Sequence, residues 1–338
     1  MLAGPVCSRR VPGIWMSGNP SARVGMMQGA WAAVASHLRP WPHEWVFLAF
    51  LIMASAKLVA TVGLLHPSSI TYLTLFGCTV ALVCWGQHRP TPLRCRIRIF
   101  GLCAISTGSY TSIKQAVPAM YGQSVLDSAQ ATLRSAEASL THGVLDFVQQ
   151  PGSALLVDGF TICYLFFFYY LVVGPGHYYV TNLRLFRQCA VGMFTLYGLG
   201  YIGYLLLPVN GPFVWMGQRE GGLIWEMGNA FVLNHSNGFD AFPSIHFGAT
   251  FFLLAFDWRH YRRRFWMLLA PVLGLWMATV YLRYHYFADL LGGLVIALAG
   301  IWAAHWFERT HRDDPMDGED GLLFGTQRER EDAHAPQS

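Results

Sequence analysis

The chain has 338 residues, of which 54% are hydrophobic and only 12% charged, about half the charged content of an ordinary soluble domain. Together with a positive mean hydropathy and 12 Trp, 15 Tyr and 23 Phe, this excludes a water-soluble globule and predicts an all-α, polytopic membrane bundle with aromatic anchors at its interfaces. The net charge of +4 is unevenly spread: residues 308–338 hold nine of the 19 acids and four of the 23 Lys and Arg, which leaves residues 1–307 at +9.

Residues 1–43 contain Arg9, Arg10, Arg23 and Arg39 but no apolar core followed by a small-residue cleavage site, so they read as a cytoplasmic N-terminal segment without a cleaved signal peptide. Residues 44–307 read as a membrane domain. Long apolar runs predict about eight transmembrane helices: Trp45 to Leu65, Ser69 to Trp85, Ile97 to Val117, Ala154 to Val173, Cys189 to Leu207, Phe242 to Phe256, Phe265 to Leu282 and Tyr286 to Phe307. Arg89, Arg94, Arg96 and Arg98 follow the second run, Arg184 and Arg187 the fourth, and Arg259 and Arg262 to Arg264 the sixth. Eight crossings put all three clusters on one side, which the positive-inside rule makes cytoplasmic. The clusters alternate with apolar spans, the pattern of topology signals and not of a nucleic-acid surface.

Between the third and fourth runs, residues 118–153 read as an outer amphipathic segment of one or two helices carrying Asp127, Arg134, Glu137 and Asp146. Residues 208–241, rich in Gly, Asn and Pro, form a second long outer loop. Residues 308–338 read as a disordered acidic cytoplasmic tail. The seven cysteines form no CxxC pair and lie mostly in apolar runs, which predicts packing residues and neither a disulfide framework nor a zinc site. Lys57 and Asp158, inside or near apolar runs, read first as a structural pair and otherwise as the lining of a headgroup cavity. The run Phe166 to Tyr170 reads as lipid-facing surface and interface belt.

Two clusters carry chemistry. At the outer end of the sixth run stands Phe242-Pro243-Ser244-Ile245-His246-Phe247-Gly248. Proline suits a first helical turn, where free N–H groups and the Ser244 hydroxyl face an anion such as phosphate, with His246 beside them to move a proton. At the outer start of the eighth run stands Tyr281-Leu282-Arg283-Tyr284-His285-Tyr286-Phe287-Ala288-Asp289. His285 and Asp289 are four apart, so on a helix they share a face, and the carboxylate fixes the imidazole tautomer. The topology reading places both clusters on the same outer face. Two histidines, a carboxylate, Arg283 and a helix N-terminus are the parts of phosphoryl transfer by covalent catalysis. His235 and Asp240 precede the first cluster, but no third carboxylate joins them to make a hard-metal site, so neither metal nor cofactor is expected.

Pro243-Ser244-Ile245-His246, followed 39 positions after His246 by His285 in His285-x-x-x-Asp289, resembles the second and third signature motifs of the type-2 phosphatidic acid phosphatase superfamily. Tyr281-Leu282-x-x-His285-Tyr286-x-x-Asp289-Leu290-x-Gly292-Gly293, with Pro208-Val209-Asn210-Gly211-Pro212 upstream, is most similar to the inositol phosphorylceramide synthase branch. The resemblance covers about residues 150–307. It implies that His285 forms a phosphohistidine, that Asp289 orients it, and that His246 protonates the leaving oxygen and activates the acceptor. The superfamily's Lys-x6-Arg-Pro first motif is absent, and Ala278-Thr279 stand where a Ser-Arg pair is expected. Ser244, Gly248, Arg283 and Arg219 are therefore the candidate phosphate-binding residues.

The expected activity is membrane lipid phosphotransfer from a phospholipid to a lipid alcohol at the outer face of a membrane, taken as a bacterial inner membrane because the loops are short. The alternative is hydrolysis of phosphatidate or polyprenyl diphosphate, with water as acceptor. A transporter or scaffold would keep the bundle while losing the triad, yet His246, His285 and Asp289 are all present.

Overall fold

A computed structural model describes residues 40–88, 91–142, 150 and 152–311. Nearly all of the expected N-terminal segment, the acidic tail beyond His311, and Arg89 and Asp146 lie outside the described residues. Those described form eleven helices and no strand: α1 (Pro42–Val62), α2 (Pro67–His88), α3 (Pro92–Met120), α4 (Gln123–Thr141), α5 (Ala154–Thr181), α6 (Leu183–Leu206), α7 (Phe213–Met216), α8 (Leu223–His235), α9 (Ile245–His260), α10 (Arg262–Tyr281) and α11 (Phe287–Thr310).

Local chemistry sets the helix ends. Prolines open α1, α2 and α3, where the missing N–H costs nothing. Thr91, Ser153, Asn182 and Ser244 cap α3, α5, α6 and α9 by accepting a backbone N–H three residues on. Each of the eight predicted runs is helical. Six of them, α1, α2, α5, α6, α10 and α11, are long and apolar enough to cross a membrane. The other two differ from that standard for separate reasons. α3 carries Arg94, Arg96, Arg98 and Lys114 along its length. α9, with 16 residues, rises only about 24 Å; nine of its residues are buried, so protein and not lipid surrounds it. Among the described residues the outer segment 118–153 contributes the helix α4, and the loop 208–241 contains the unexpected helices α7 and α8.

Of the six long apolar helices α6 is the most buried, with 67% of its apolar stretch covered, followed by α11 with 50%. Small residues let helices meet at the backbone. A Cβ on Gly248 of α9 would come within 2.9 Å of the Gly293 carbonyl of α11, so the two helices that begin at the candidate site touch there. Large apolar side chains such as Leu155, Val172, Val295 and Trp302 point outward, as expected where lipid is the solvent.

The ends of the helices sort by charge. One end gathers the arginines of α3, α6, α9, α10 and α11 and is tied by buried ion pairs. Arg98 grips the buried Glu44 with two nitrogens and stacks 4.2 Å from the centre of the Trp41 ring. The fully buried Asp257 accepts from Tyr170 at 2.7 Å, from Arg264 Nε at 2.8 Å and from Tyr178. The opposite end gathers α4, α7, α8 and the segments on either side of them, with Arg134, Arg219 and Arg283 as its only arginines among the described residues.

Two expectations are corrected here. Lys57 and Asp158 do not pair: Lys57 lies 5.2 Å from the centre of the Tyr121 ring, while Asp158 caps α8 by accepting from Gly222 and Trp225 N–H, both at 2.9 Å. The aromatic run of α5 is not one lipid-facing surface either. Tyr169 is exposed, but Phe167 and Tyr170 are buried, because successive helical residues point about 100° apart.

Candidate active site

The chain enters the site through a reversal between α10 and α11. Tyr284 and His285 N–H both bond the Thr279 carbonyl, at 3.1 and 3.0 Å. Arg283 takes a left-handed conformation with φ 64°, a backbone strain that a non-glycine residue tolerates only when its surroundings hold it. Its carbonyl is fixed by Phe213 N–H at 2.9 Å, and its guanidinium by the carbonyls of Met216 at 2.8 Å and Gly217 at 3.0 Å.

His285 lies before α11 begins, and this corrects the expectation that it shares a helical face with Asp289. The two meet because Asp289 is the third residue of α11 and its carboxylate folds back over the first turn. Oδ2 accepts from Tyr286 N–H at 2.7 Å and lies 3.4 Å from His285 Nδ1. The Ala241 carbonyl is nearer to the same nitrogen, at 3.0 Å. Facing two acceptor oxygens, Nδ1 must carry the proton, which leaves the lone pair of a neutral His285 on Nε2. That nitrogen is 3.0 Å from His246 Nδ1.

His246 stands in the first turn of α9. Ser244 caps that helix, its hydroxyl accepting from Phe247 N–H at 3.3 Å, and donates its own N–H to the Asp289 carbonyl at 3.0 Å, so the starts of α9 and α11 are tied together. On its far side, His246 Nε2 lies 2.9 Å from the Tyr164 hydroxyl of α5. Phe167 packs on the ring at 4.4 Å between centres. His285 and Asp289 are buried, at 3% and 0% exposure, and His246 is half-buried.

His246, His285, Asp289 and Ser244 thus come together. The other candidates sit apart from these contacts. Gly248 donates its N–H to the Ser244 carbonyl, and its lack of a side chain serves the contact with Gly293. Arg219 is buried across the Tyr281 ring and donates to the carbonyls of Tyr281 and Gln150. Burial first, and then the positive charge of Arg283, lower the proton affinity of Arg219 from its ordinary value. Asp240 accepts from Tyr110 and Ser236. Among the described residues no group of three His, Cys, Asp or Glu side chains is placed to hold a metal ion.

Sequence reasoning read this segment as outer and amphipathic, and missed what α4 holds. Gln130, Arg134 and Glu137 occupy one helical face. Gln130 exchanges two hydrogen bonds with the backbone of Asn210 and donates to the Tyr286 hydroxyl at 2.8 Å. Arg134 stacks 4.6 Å from the centre of the Trp215 ring. Glu137 accepts from Phe287 N–H at 3.0 Å and Ala288 N–H at 2.9 Å. With Asp289 on Tyr286, the two carboxylates satisfy the first N–H groups of α11. Glu137→Ala should remove about 1 kcal/mol of support from that turn and lower turnover about fivefold, with Glu137→Gln retaining more. Parallel kinetics and melting in detergent check this; an unchanged rate would mean that α4 does not position Asp289.

A sequence profile of the PAP2 superfamily, the type-2 phosphatidic acid phosphatase superfamily, matches residues 131–303, just over half of the chain. The chain belongs to the PAP2 superfamily. The match begins within α4, earlier than the motifs alone suggested, so the PAP2 region includes Arg134 and Glu137 as well as both histidine clusters. A stretch of 67 residues is 42% identical to the inositol phosphorylceramide synthase of Candida albicans (strain SC5314), covering 19% of this chain and 14% of that relative's length. No solved structure matches the chain.

Proposed function

We propose that this PAP2 protein moves a phospho-headgroup from a phospholipid to a lipid alcohol through a phosphohistidine on His285. The observation that carries the reading is the polarised pair: His285 Nδ1 held by Ala241 and Asp289, with Nε2 3.0 Å from His246 Nδ1. In the first step the Nε2 lone pair attacks phosphorus, the P–O bond to the leaving alcohol breaks, and His246, as the imidazolium, gives that oxygen its Nδ1 proton. Asp289 stabilises the positive charge that phosphorylation leaves on the His285 ring. In the second step the acceptor hydroxyl yields its proton to His246 and attacks phosphorus, and the N–P bond breaks.

The first turn of α9 with Ser244 offers N–H groups to an anion, and Arg219 and Arg283 stand beside the 281–285 turn. These are our candidates for holding the phosphate, with Gly248 allowing α9 to lie against α11. The three arginines at the site end, against ten at the other among the described residues, favour an outer-facing site by the positive-inside rule. Residues 44–307 are taken as the catalytic domain. The 42% identity of a short stretch to an inositol phosphorylceramide synthase supports transfer to an alcohol over transfer to water.

The test uses the full chain in nanodiscs with donor phospholipids labelled in the headgroup phosphate, with and without ceramide or diacylglycerol. Transfer predicts a labelled lipid product that grows with the alcohol while labelled free phosphate or headgroup phosphate falls. If no alcohol captures label while phosphatidate or polyprenyl diphosphate is hydrolysed, the protein is a phosphatase.

A further inference from the structure

Tyr164 belongs to neither histidine motif and lies 82 positions before His246, yet its hydroxyl is the partner of His246 Nε2 at 2.9 Å. Its ring is buried, 5.1 Å from the His246 ring and 4.7 Å from that of Tyr284. Tyr284 is in turn fixed through its hydroxyl to Asn229 Oδ1 at 2.8 Å, and Asn229 to Gln218 at 2.7 Å. The phenol is therefore held on one face by a chain of contacts reaching into α8 and the loop before it.

The proton bookkeeping gives this contact a purpose. His285 Nδ1 must donate, so His285 Nε2 accepts, and His246 Nδ1 must be the donor between them. With that donor in place a neutral His246 has its lone pair on Nε2, whereas the imidazolium, and the neutral ring left once Nδ1 has given up its proton, have an N–H there. A carboxylate at Tyr164's position would match only the N–H, and an ammonium only the lone pair. A hydroxyl matches both, donating to the lone pair or accepting from the N–H. Resting on the phosphohistidine reading above, we infer that Tyr164 is a positioning residue for His246: its hydroxyl partners Nε2 whether or not that nitrogen carries a proton, and so holds the ring with Nδ1 beside His285.

A purely structural tyrosine would affect every substrate alike. A residue that supports proton donation matters only when the leaving oxygen needs a proton. In the full chain in detergent, Tyr164→Phe should lower kcat about tenfold on a phospholipid with an alkyl leaving group, with KM unchanged. It should leave the initial burst of p-nitrophenolate from a p-nitrophenyl donor unchanged, because that anion departs unprotonated. In a His246→Ala background it should add no further loss. Equal losses on both donors, no loss on either, or a full additional loss without His246 would overturn the inference. If His246→Ala itself leaves alkyl-donor turnover intact, the acid–base role given to His246 in the proposed function fails instead. Nitrogen-15 NMR of labelled histidine then tests Tyr164 without turnover: the inference expects the Nδ1–H form of neutral His246 in the native protein and a changed tautomer balance in Tyr164→Phe. An unchanged balance would reject it.

Discussion

His285→Ala is expected to abolish turnover and covalent phosphate together, whereas His246→Ala should keep a slow, trappable intermediate. The difference follows from which nitrogen has a lone pair to offer. Nδ1 of His285 is committed to Ala241 and Asp289, so Nε2 is the nitrogen of that ring able to attack. In the proposed mechanism His246 enters only as proton donor and acceptor, help worth roughly 100-fold or more. Asp289→Asn should fall between them. An amide oxygen can still accept from one of Tyr286 N–H and His285 Nδ1–H, but it supplies no charge to offset a phosphorylated ring. Mixing the proteins with donor labelled in the phosphate, quenching, and comparing acid and base stability of the protein-bound label checks this. Label that is acid-labile, base-stable and absent from His285→Ala is the expected pattern. Full activity in His285→Ala would end the proposal.

How much of this was legible depended on the range of the interaction. Eight helices and the charge asymmetry of their ends follow from apolar run length and arginine position, which are local properties of the chain. The same two signals placed His246 and His285 at one end, and the fold brings their rings to a 3.0 Å contact. The relation between His285 and Asp289 was legible as a pairing but not as a geometry, because spacing by four does not reveal that the helix begins between them. Tyr164 was hidden for a different reason. Its sequence neighbours are aromatic and apolar, so it reads as membrane surface, and only the packing of α5 against α9 turns its hydroxyl toward a histidine. Glu137 was likewise an ordinary acid on an amphipathic helix until the loop to α11 supplied two N–H groups for it.

Asp257 shows why an acid in an apolar run needs its partners before it is given a role. By the rule that singled out Asp289 it too is a functional candidate, and both are fully buried. Their surroundings separate them. Asp289 touches a histidine whose other nitrogen faces a second histidine. Asp257 is enclosed by Tyr170, Tyr178 and both Arg264 nitrogens that reach it, groups that hold their protons and offer no exchange. It also lies eleven residues along α9 from His246, about 16 Å along the helix axis. Asp257 therefore joins α5, α9 and α10 and takes no part in the chemistry. Asp257→Ala leaves Arg264 beside two phenols without its counter-charge, a loss of about 3 kcal/mol or more, and should lower the melting temperature in detergent sharply. Asp257→Asn keeps acceptors for the tyrosines and should cost less. Activity per folded molecule, measured well below the melting point, should match the native chain in both variants. A melting point unchanged in Asp257→Ala would remove the ion pair from the account of stability, and a selective loss of turnover in a fully folded Asp257→Asn would make this second buried acid part of the mechanism.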